Sequence, residues 1–284
     1  MFGQNVSKKP HQPNEKSPLE GVLSILESRP RAVAIVTDYD GTIAPIVDDP
    51  ALAYPDLAAL TQLDTLSELV GAAAVISGRT SKFLEKMIPS DRIVRIGLYG
   101  LERARDEAIH WKAAIEEATR AAQEFASLRP EPYSVEPKGL SVVLHFRRAP
   151  DPDLAAQTVR EWADTQAQRL GLRVLVGRMV VELVPPLEVG KGRALRDFLE
   201  EVPAALEAVV YLGDDIGDVE AFEAAKRWAS MREGRAGLAV AVGSDELDPA
   251  IEDAADLVLP SQHDVAGFLE SLTRAARRPD KIQI

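Results

Sequence analysis

The stretch Ala32–Thr42, with the sequence AVAIVTDYDGT, decides the fold. It opens on an unbroken run of apolar residues, which is typical of a strand buried on both faces of a parallel sheet. The strand leads directly into Asp38 and Asp40, and Gly41 lets the chain turn sharply after them. Because open parallel sheets bind their ligands at the carboxyl ends of the strands, both carboxylates are predicted at the functional edge of the sheet.

The same apolar pattern recurs along the chain and alternates with helix-like segments of amphipathic spacing. This alternation predicts an α/β fold, a doubly wound parallel sheet with a Rossmann-like core and helices on both faces. The further predicted strands lie in Gly71–Arg79, Val209–Asp215, Leu238–Gly243 and Ala255–Pro260.

The middle third of the chain has a different pattern. Between Glu107 and Pro186, two helix-like segments alternate with a strand, and two further strands flank Gly177 and Arg178. This order predicts hairpin-like pairing in an α+β cap domain that is inserted into the first domain. The predicted organisation is a flexible tail over residues 1–20, a core over 21–106 and 187–284, and an inserted cap, or lid, over 107–186.

The composition excludes several classes of protein. The chain of 284 residues carries 33 Lys and Arg against 45 Asp and Glu, a formal charge of −12. That balance argues against nucleic acids and anionic membranes as partners, because both are bound through excess positive charge. The absence of cysteine excludes disulfides and thiolate chemistry and fits a reducing compartment. With no secretory signal and no apolar stretch near the roughly 20 residues of a membrane span, the expected location is the cytoplasm, and a monomer is the default expectation.

Asp38 and Asp40 carry the strongest chemical signal. Two carboxylates at one strand end can approach the same substrate atom, one as the nucleophile and the other as the proton donor to the leaving oxygen. Thr42 follows with a hydroxyl that suits a phosphoryl oxygen. The alternative interpretation is an acidic turn without chemistry, because such turns are common after strands.

A second acidic cluster, GDDIGD over Gly213–Asp218, follows another predicted strand. Three carboxylates within five positions repel one another unless a cation lies among them, and hard oxygen ligands favour Mg²⁺. A solvated acidic loop is the alternative here. Ser77 in an SGR segment and Lys191 in a GKG segment both precede predicted helices, and they add a hydroxyl and a positive charge suited to phosphate.

The segments DYDGT, SGR, GKG and GDDIGD occur in the order of the four motifs of the haloacid dehalogenase (HAD) superfamily, which the chain resembles over nearly its whole length. Within that superfamily it resembles the trehalose-6-phosphate phosphatase family, because DYDGTIAPI and EPKGLSVVLHFR are similar to that family's patterns. The resemblance implies a HAD-like fold and a Mg²⁺-dependent phosphomonoester hydrolase of trehalose biosynthesis that works through an aspartyl phosphate.

The resemblance also implies a role for each matching residue. Asp38 would attack phosphorus, and Asp40 would protonate the departing sugar oxygen and then activate water. Ser77 and Lys191 would bind the transferring phosphoryl group. The implied metal ligands are Asp38, the backbone carbonyl of Asp40 and Asp214, with Asp215 or Asp218 contributing through water.

The inserted domain would close as a lid and present residues that bind the sugar. A strip with both donors and acceptors suits neutral hydroxyls, although a surface ion pair between Glu136 and Lys138 is the alternative. Glu182 lies in an otherwise apolar strand, where an unpaired carboxylate is costly to bury, and this favours a ligand-facing role. The implied substrate-binding residues are Thr42, Gly78, Arg79, Tyr99, Gly100, Glu136, Lys138, Ser141, His145, Arg147 and Glu182.

Some positions depart from the family's pattern. Leu98 and Tyr99 stand where the family usually has Asn and His, and Gly217 and Val219 stand where Thr and Glu are common. The rival substrates are therefore sucrose phosphate, glucosylglycerol phosphate and mannosyl-3-phosphoglycerate. A phosphomutase and a non-catalytic sugar-phosphate binder are the remaining alternatives.

Overall fold

The computed structural model describes residues 16–47, 49–129, 133–177, 179–202, 205–244 and 247–277. The chain divides into two compact units, one of Met1–Tyr99 with Gly190–Ile284 and one of Gly100–Val189. The second unit is continuous in sequence, and its limits lie a few residues outside the predicted limits of the inserted domain, 107 and 186. In the described part of the chain, no helix is long and apolar enough to cross a lipid bilayer.

The secondary structure alternates between strands and helices over most of the chain. The strands are β1 (Val33–Thr37), β2 (Ala72–Ile76), β3 (Ile93–Ile96), β4 (Ser134–Pro137), β5 (Val142–His145), β6 (Arg173–Gly177), β7 (Val180–Val184), β8 (Ala208–Gly213), β9 (Ala236–Val242) and β10 (Leu257–Leu259). The α-helices are α1 (Pro18–Ser28), α2 (Leu57–Ser67), α3 (Ser81–Met87), α4 (Arg105–Ala108), α5 (Lys112–Ser127), α6 (Pro152–Leu170), α7 (Lys191–Glu201), α8 (Ile216–Ser230), α9 (Pro249–Ala254) and α10 (Asp264–Ala276).

A six-stranded sheet in the order β10-β9-β8-β1-β2-β3 forms the first unit, and all of its pairings are parallel. The predicted α/β class is confirmed, and each predicted strand of this unit is present. Strand β3 is not predicted by the sequence because the exposed Val94 and the charged Arg95 interrupt its apolar pattern at the edge of the sheet.

The register of the sheet brings the ends of three strands level. Thr37, the last residue of β1, pairs with Leu212 of β8 and with Val75 of β2. The chain winds from β1 towards β2 and β3 in one direction and from β8 towards β10 in the other, so the order reverses between β1 and β8. A crevice at such a reversal is where open α/β sheets bind ligands.

Apolar layers cover both faces of the sheet and hold β1 in place. Ile35 packs on one face with residues of α1, α2 and α10, whereas Val36 packs on the other face with residues of α7 and α8. Both side chains are fully buried. Each such side chain contributes about 1.5–3 kcal/mol to stability, so the strand that carries Asp38 is firmly anchored.

The second unit contains an antiparallel four-stranded sheet in the order β4-β5-β7-β6. Helices α5 and α6 supply its apolar core, in which the rings of Phe125 and Trp162 lie 5.1 Å apart between centroids. The hairpin predicted around Gly177 is β6 with β7.

The predicted tail over residues 1–20 does not extend to residue 20. Helix α1 begins at Pro18, after a capping box in which Ser17 accepts from the backbone N–H of Glu20 and the Glu20 carboxylate accepts from that of Ser17. Two otherwise unpaired backbone donors are satisfied in this way, which fixes the start of the helix. Residues 1–15 of the predicted tail lie outside the described residues.

Candidate active site

Buried carboxylates gather at the carboxyl ends of β1 and β8. Asp38 follows β1, and Asp214 follows β8, whose end pairs with the end of β1. Oxygen atoms of Asp38, Asp214 and Asp218 lie within 4.8 Å of one another, and all three residues are buried. The structure thus brings together the two acidic segments that the sequence places at two strand ends of the same sheet, and it shows that these strands are neighbours.

Gly41 makes room for this cluster. Its φ of +76° favours glycine, and a Cβ atom at this position would lie 1.9 Å from Oδ2 of Asp214. The neighbouring Thr42 is fully buried and donates its hydroxyl to Oδ1 of Asp214 over 3.4 Å. The loop after β1 therefore both admits and contacts the carboxylate from β8.

Lys191 is the cation at the centre of the cluster. It begins α7, is 3% exposed, and its Nζ lies 3.0 Å from Asp38, 3.1 Å from Asp215 and 2.9 Å from Asp218. Burial alone would lower the pKa of Lys191, but Asp215, Asp218 and Asp38 together raise it well above its ordinary value. The side chain is therefore a fixed positive charge against Asp38.

Asp218 holds the loop that carries Asp214 and Asp215 in place. Its Oδ1 accepts from the Tyr211 hydroxyl at 2.8 Å and lies 2.9 Å from Lys191, while its Oδ2 accepts from the backbone N–H groups of Asp214 and Asp215, both at 3.0 Å. Burial, opposed by Lys191, raises the pKa of Asp218 to about 6. The residue is fully buried, so its contacts explain its presence without a metal ion.

The cluster holds more negative than positive charge. Asp38, Asp214, Asp215 and Asp218 supply four carboxylates, and Lys191 supplies one ammonium. Burial raises the pKa of Asp38 well above its usual range, Lys191 opposes this, and the neighbouring carboxylates add to it. A buried set of hard oxygen donors with surplus negative charge fits a divalent cation such as Mg²⁺.

The loop after β2 places Ser77 at the same edge of the sheet. Ser77 is 1% exposed, its backbone N–H donates to Ile96, and its hydroxyl accepts from the backbone N–H of Arg79 at 3.2 Å. Helix α3 begins further on and is capped by Thr80. Ser77 thus precedes the helix, as the sequence predicts, but its backbone N–H is paired with Ile96.

Leu98 and Tyr99, which follow β3, are hydrogen-bonded to this loop. Both have left-handed φ values, 48° and 56°, which are uncommon for non-glycine residues. Their backbone N–H groups donate to the carbonyls of Arg79 and Ser77 at 2.9 and 3.0 Å. A Cβ atom on Gly78 would lie 2.3 Å from the Tyr99 hydroxyl, so the ring needs glycine beneath it. Gly100 follows, also with a positive φ, as the first residue of the second unit.

Arg79 binds Asp40. Its Nε donates to Oδ2 at 2.7 Å and its Nη2 donates to Oδ1 at 2.6 Å, a bidentate pair. The sequence assigns Arg79 to substrate binding, whereas the described contacts direct its guanidinium at the second carboxylate of DYDGT. No sequence spacing connects residues 40 and 79, so this pairing is visible only in the structure.

The polar strip of the second unit is paired within itself. His145 Nε2 lies 2.9 Å from Glu136, and Glu182 accepts from the Ser141 hydroxyl at 2.5 Å and lies 3.5 Å from the Lys138 ammonium. Glu182 and Lys138 are both buried, with side-chain exposures of 4% and 7%. The burial of Glu182 is therefore explained by partners inside the unit and does not require a ligand. Arg147 follows β5 and is half-buried.

One residue of the site is missed by the sequence analysis. Tyr211 lies in β8, is fully buried and donates to Asp218. A tyrosine inside an apolar strand needs a partner for its hydroxyl, which is the signal that could have identified it.

The fold and the site together define a class of protein. A parallel sheet with Asp38 after its central strand, an acidic cluster after β8 and Lys191 at a helix start has the architecture of HAD-like hydrolases. A solved haloacid dehalogenase-like hydrolase from Bacteroides thetaiotaomicron matches this chain with a TM-score of 0.52 and 16% identity, covering 85% of this chain and 98% of that one. At this identity the likeness shows the fold alone.

Sequence comparison narrows the class to a family. The trehalose-phosphatase family model matches residues 36–250. The trehalose-phosphate phosphatase of Mycobacterium marinum is 35% identical over 207 residues, 67% of this chain and 51% of that protein, and that of Mycobacterium tuberculosis is 34% identical over 260 residues, 87% and 63%. The C-terminal domain of trehalose-6-phosphate phosphatase from C. albicans gives a TM-score of 0.65 at 24% identity, covering 89% of this chain and 96% of that one. The chain belongs to the trehalose-phosphatase family, and it spans about half to two thirds of the length of these two curated relatives.

Proposed function

We propose that this protein hydrolyses trehalose 6-phosphate to trehalose and inorganic phosphate, with Mg²⁺ as cofactor and an aspartyl phosphate as intermediate. The observation that carries the proposal is the buried cluster in which Asp38, Asp214 and Lys191 meet at the ends of β1 and β8. Membership of the trehalose-phosphatase family supports the substrate.

In the first half-reaction a carboxylate oxygen of Asp38 attacks phosphorus. The bond between phosphorus and the sugar oxygen breaks, and Asp40 gives its proton to that oxygen so that the sugar leaves as a neutral alcohol. Lys191, 3.0 Å from Asp38, holds the nucleophile in position.

In the second half-reaction water attacks the phosphorus of the aspartyl phosphate. Asp40, now a carboxylate, takes the proton of that water, and the bond between phosphorus and the Asp38 oxygen breaks. Inorganic phosphate leaves, and both carboxyl groups return to their starting states. A single residue thus serves as acid and then as base.

The negative charge on the phosphoryl oxygens needs positive charge and hydrogen-bond donors. Lys191 supplies the charge, and the hydroxyls of Ser77 and Thr42 are the proposed donors, because phosphoryl transfer is catalysed mainly by positioning and charge neutralisation. Asp38, the backbone carbonyl of Asp40 and Asp214 would hold Mg²⁺, with Asp215 or Asp218 contributing through water. The bound ion would neutralise charge on the phosphate and on the crowded carboxylates.

The sugar is the less constrained part of the proposal. We propose that the polar strip of the second unit binds sugar hydroxyls through Glu136, Lys138, Ser141, His145, Arg147 and Glu182. The strip offers donors and acceptors side by side, and its most exposed described pair, Glu136 with His145, can exchange a partner for a hydroxyl at little cost. Glu136→Gln is expected to raise the KM for trehalose 6-phosphate and to leave that for p-nitrophenyl phosphate unchanged.

A substrate panel tests the proposal. Trehalose 6-phosphate is compared with sucrose phosphate, glucosylglycerol phosphate and mannosyl-3-phosphoglycerate by kcat/KM in excess Mg²⁺. We expect the highest value for trehalose 6-phosphate. A preference of more than about tenfold, ~1.4 kcal/mol, for another substrate would overturn the choice of sugar but not the chemistry.

Two controls separate the remaining alternatives. Release of inorganic phosphate, rather than transfer to another position of the sugar, distinguishes a phosphatase from a phosphomutase. Asp38→Asn should abolish release, whereas Asp64→Asn, in a surface pair with Arg92, should not. If the unmutated protein binds trehalose 6-phosphate but releases no phosphate, the non-catalytic binder is the correct interpretation.

A further inference from the structure

We propose that Arg79 is a positioning residue that aims the carboxyl group of Asp40 at the leaving oxygen of the substrate. The inference rests on the proposed function, in which Asp40 is the acid and base. It replaces the substrate-binding role that the sequence resemblance implies for Arg79.

Arg79 and Asp40 form a bidentate ion pair. Nε and Nη2 of Arg79 each donate to a different oxygen of Asp40, at 2.7 and 2.6 Å. Two parallel hydrogen bonds fix the plane of the carboxyl group as well as its position, which a single contact or a point charge cannot do. The exposed fractions of the two side chains, 14% for Arg79 and 29% for Asp40, show that water reaches the pair and would otherwise let Asp40 rotate.

Arg79 is itself held on two further sides. Its Nη1 donates to the carbonyl of Pro50 at 2.9 Å, and its guanidinium carbon lies 4.7 Å from the centre of the Phe83 ring. Phe83 meets Tyr39 edge-on, with 5.6 Å between ring centroids, and the Tyr39 hydroxyl donates to Ala53 at 2.6 Å. A guanidinium anchored in this way is a rigid reference point, because little rotamer freedom is left to it.

The backbone of Asp40 is fixed independently. Gly41 donates to the carbonyl of Ala44 at 2.7 Å, and Asp40 forms an isolated parallel bridge with Ala44. The backbone thus has its own support, and the described contacts of the Asp40 carboxylate are those with Arg79. Loss of Arg79 should therefore free the side chain of Asp40 without moving Asp38.

A positioning role predicts a dependence on the leaving group. Trehalose 6-phosphate loses a sugar alcohol, which needs a proton as the phosphorus–oxygen bond breaks. p-Nitrophenyl phosphate loses a far more acidic phenol, which needs none. Because kcat/KM reports only the steps up to departure of the leaving group, it isolates the acid role of Asp40 from its later role as base.

The experiment compares Arg79→Ala, Asp40→Asn and the double variant on both substrates in the full chain. For Arg79→Ala we expect kcat/KM for trehalose 6-phosphate to fall about 100-fold, the low end of what general acid catalysis contributes, and kcat/KM for p-nitrophenyl phosphate to fall less than about threefold. In the Asp40→Asn background the same change should have no further effect on trehalose 6-phosphate, because the group that Arg79 positions is already inactive. Added guanidine should partly restore activity to Arg79→Ala.

Arg79→Lys serves where Arg79→Ala folds poorly, because lysine keeps the charge but cannot form two parallel bonds, so the same selective loss is expected. Arg92→Ala, which breaks a surface pair with Asp64 in the same unit, is the matched control and should change neither substrate. Equal losses of kcat/KM on both substrates would assign Arg79 to the phosphoryl group. Additive losses in the double variant would make Arg79 independent of Asp40, and no loss in Arg79→Ala would make Arg79 dispensable. Each of these results overturns the inference. Absence of hydrolysis by the unmutated protein would overturn the proposed function, and the inference with it.

Discussion

Two clusters of buried charge in this protein differ in whether they are neutral. At the ends of β1 and β8, the carboxylates of Asp38, Asp215 and Asp218 contact the ammonium of Lys191, and a fourth, that of Asp214, lies beside Asp38 and Asp218. In the strip of the second unit, by contrast, the buried carboxylate of Glu182 is paired with the buried ammonium of Lys138 and accepts from the Ser141 hydroxyl. Burying unbalanced charge is costly, so the first cluster needs a cation to complete it, whereas the second is complete within the fold. The surplus of charge, rather than the presence of charged residues, therefore marks the reactive site.

The largest effect is expected for Asp38→Asn, which removes one carboxylate from the first cluster. Removal of the nucleophile should lower kcat by on the order of 10⁴-fold or more. The folded-state pKa of Asp38 is raised, so its charged form weakens the metal-free fold at neutral pH. The melting temperature of the metal-free variant should therefore equal or exceed that of the unmutated protein. A lower melting temperature would contradict the claim that this cluster is overcharged.

Two glycines sharpen the comparison, because they share a backbone conformation but not its surroundings. Gly41 has φ +76°, with Asp214 in the space of its missing side chain, whereas Gly139 of the second unit has φ +82° and nothing within 4 Å. Gly41→Ala should displace Asp214 and lower kcat/KM by about 100-fold or more, since misplacement near 1 Å already costs about that much. Gly139→Ala should lower only the free energy of unfolding, by about 1–2 kcal/mol, which is the cost of a left-handed backbone conformation for alanine. Similar activities of the two variants would show that the first site is not crowded.

In the neutral cluster of the second unit, in contrast, removal of one charge is expected to lower stability. Lys138→Met leaves Glu182 buried with Ser141 as its remaining described partner and should lower the free energy of unfolding by about 3 kcal/mol. Adding Glu182→Gln should recover most of the loss, because the uncompensated charge is then removed. Urea unfolding of the single and double variants measures both effects. No recovery in the double variant would mean that Lys138 acts through packing rather than charge.

The smallest predicted effect is the pH dependence of Mg²⁺ binding. The pKa of Asp38 is raised and that of Asp218 is about 6, so protons compete with the cation as the pH falls from neutral through about 6. Affinity should fall by up to about tenfold per pH unit for each proton displaced, and binding should release protons. Calorimetry in two buffers of different ionisation enthalpy measures that release. An affinity for Mg²⁺ that does not change over this pH range would place the ion away from the cluster.

The sequence predicts the positions of Asp38, Ser77 and Asp214 because each follows an apolar strand, and the ends of parallel strands share one edge. It does not predict the four donors on Asp218 or the pairing of Arg79 with Asp40, because these depend on loops that meet only after the sheet has formed. The left-handed residues Leu98 and Tyr99 carry no sequence signal, since neither is glycine or asparagine. The cost of burying Glu182 favours a ligand-facing role in the sequence, but in the structure Lys138 and Ser141, between β4 and β5, meet that cost.

Thermal unfolding of the unmutated protein and of Asp214→Asn, with and without Mg²⁺, tests the central claim most directly. An overcharged cluster predicts that Mg²⁺ raises the melting temperature of the unmutated protein, since a ligand that binds only the folded state stabilises it. It predicts also that Asp214→Asn loses this Mg²⁺ effect without a lower melting temperature in the metal-free state. An undiminished Mg²⁺ effect in Asp214→Asn, or none in the unmutated protein, would contradict the account.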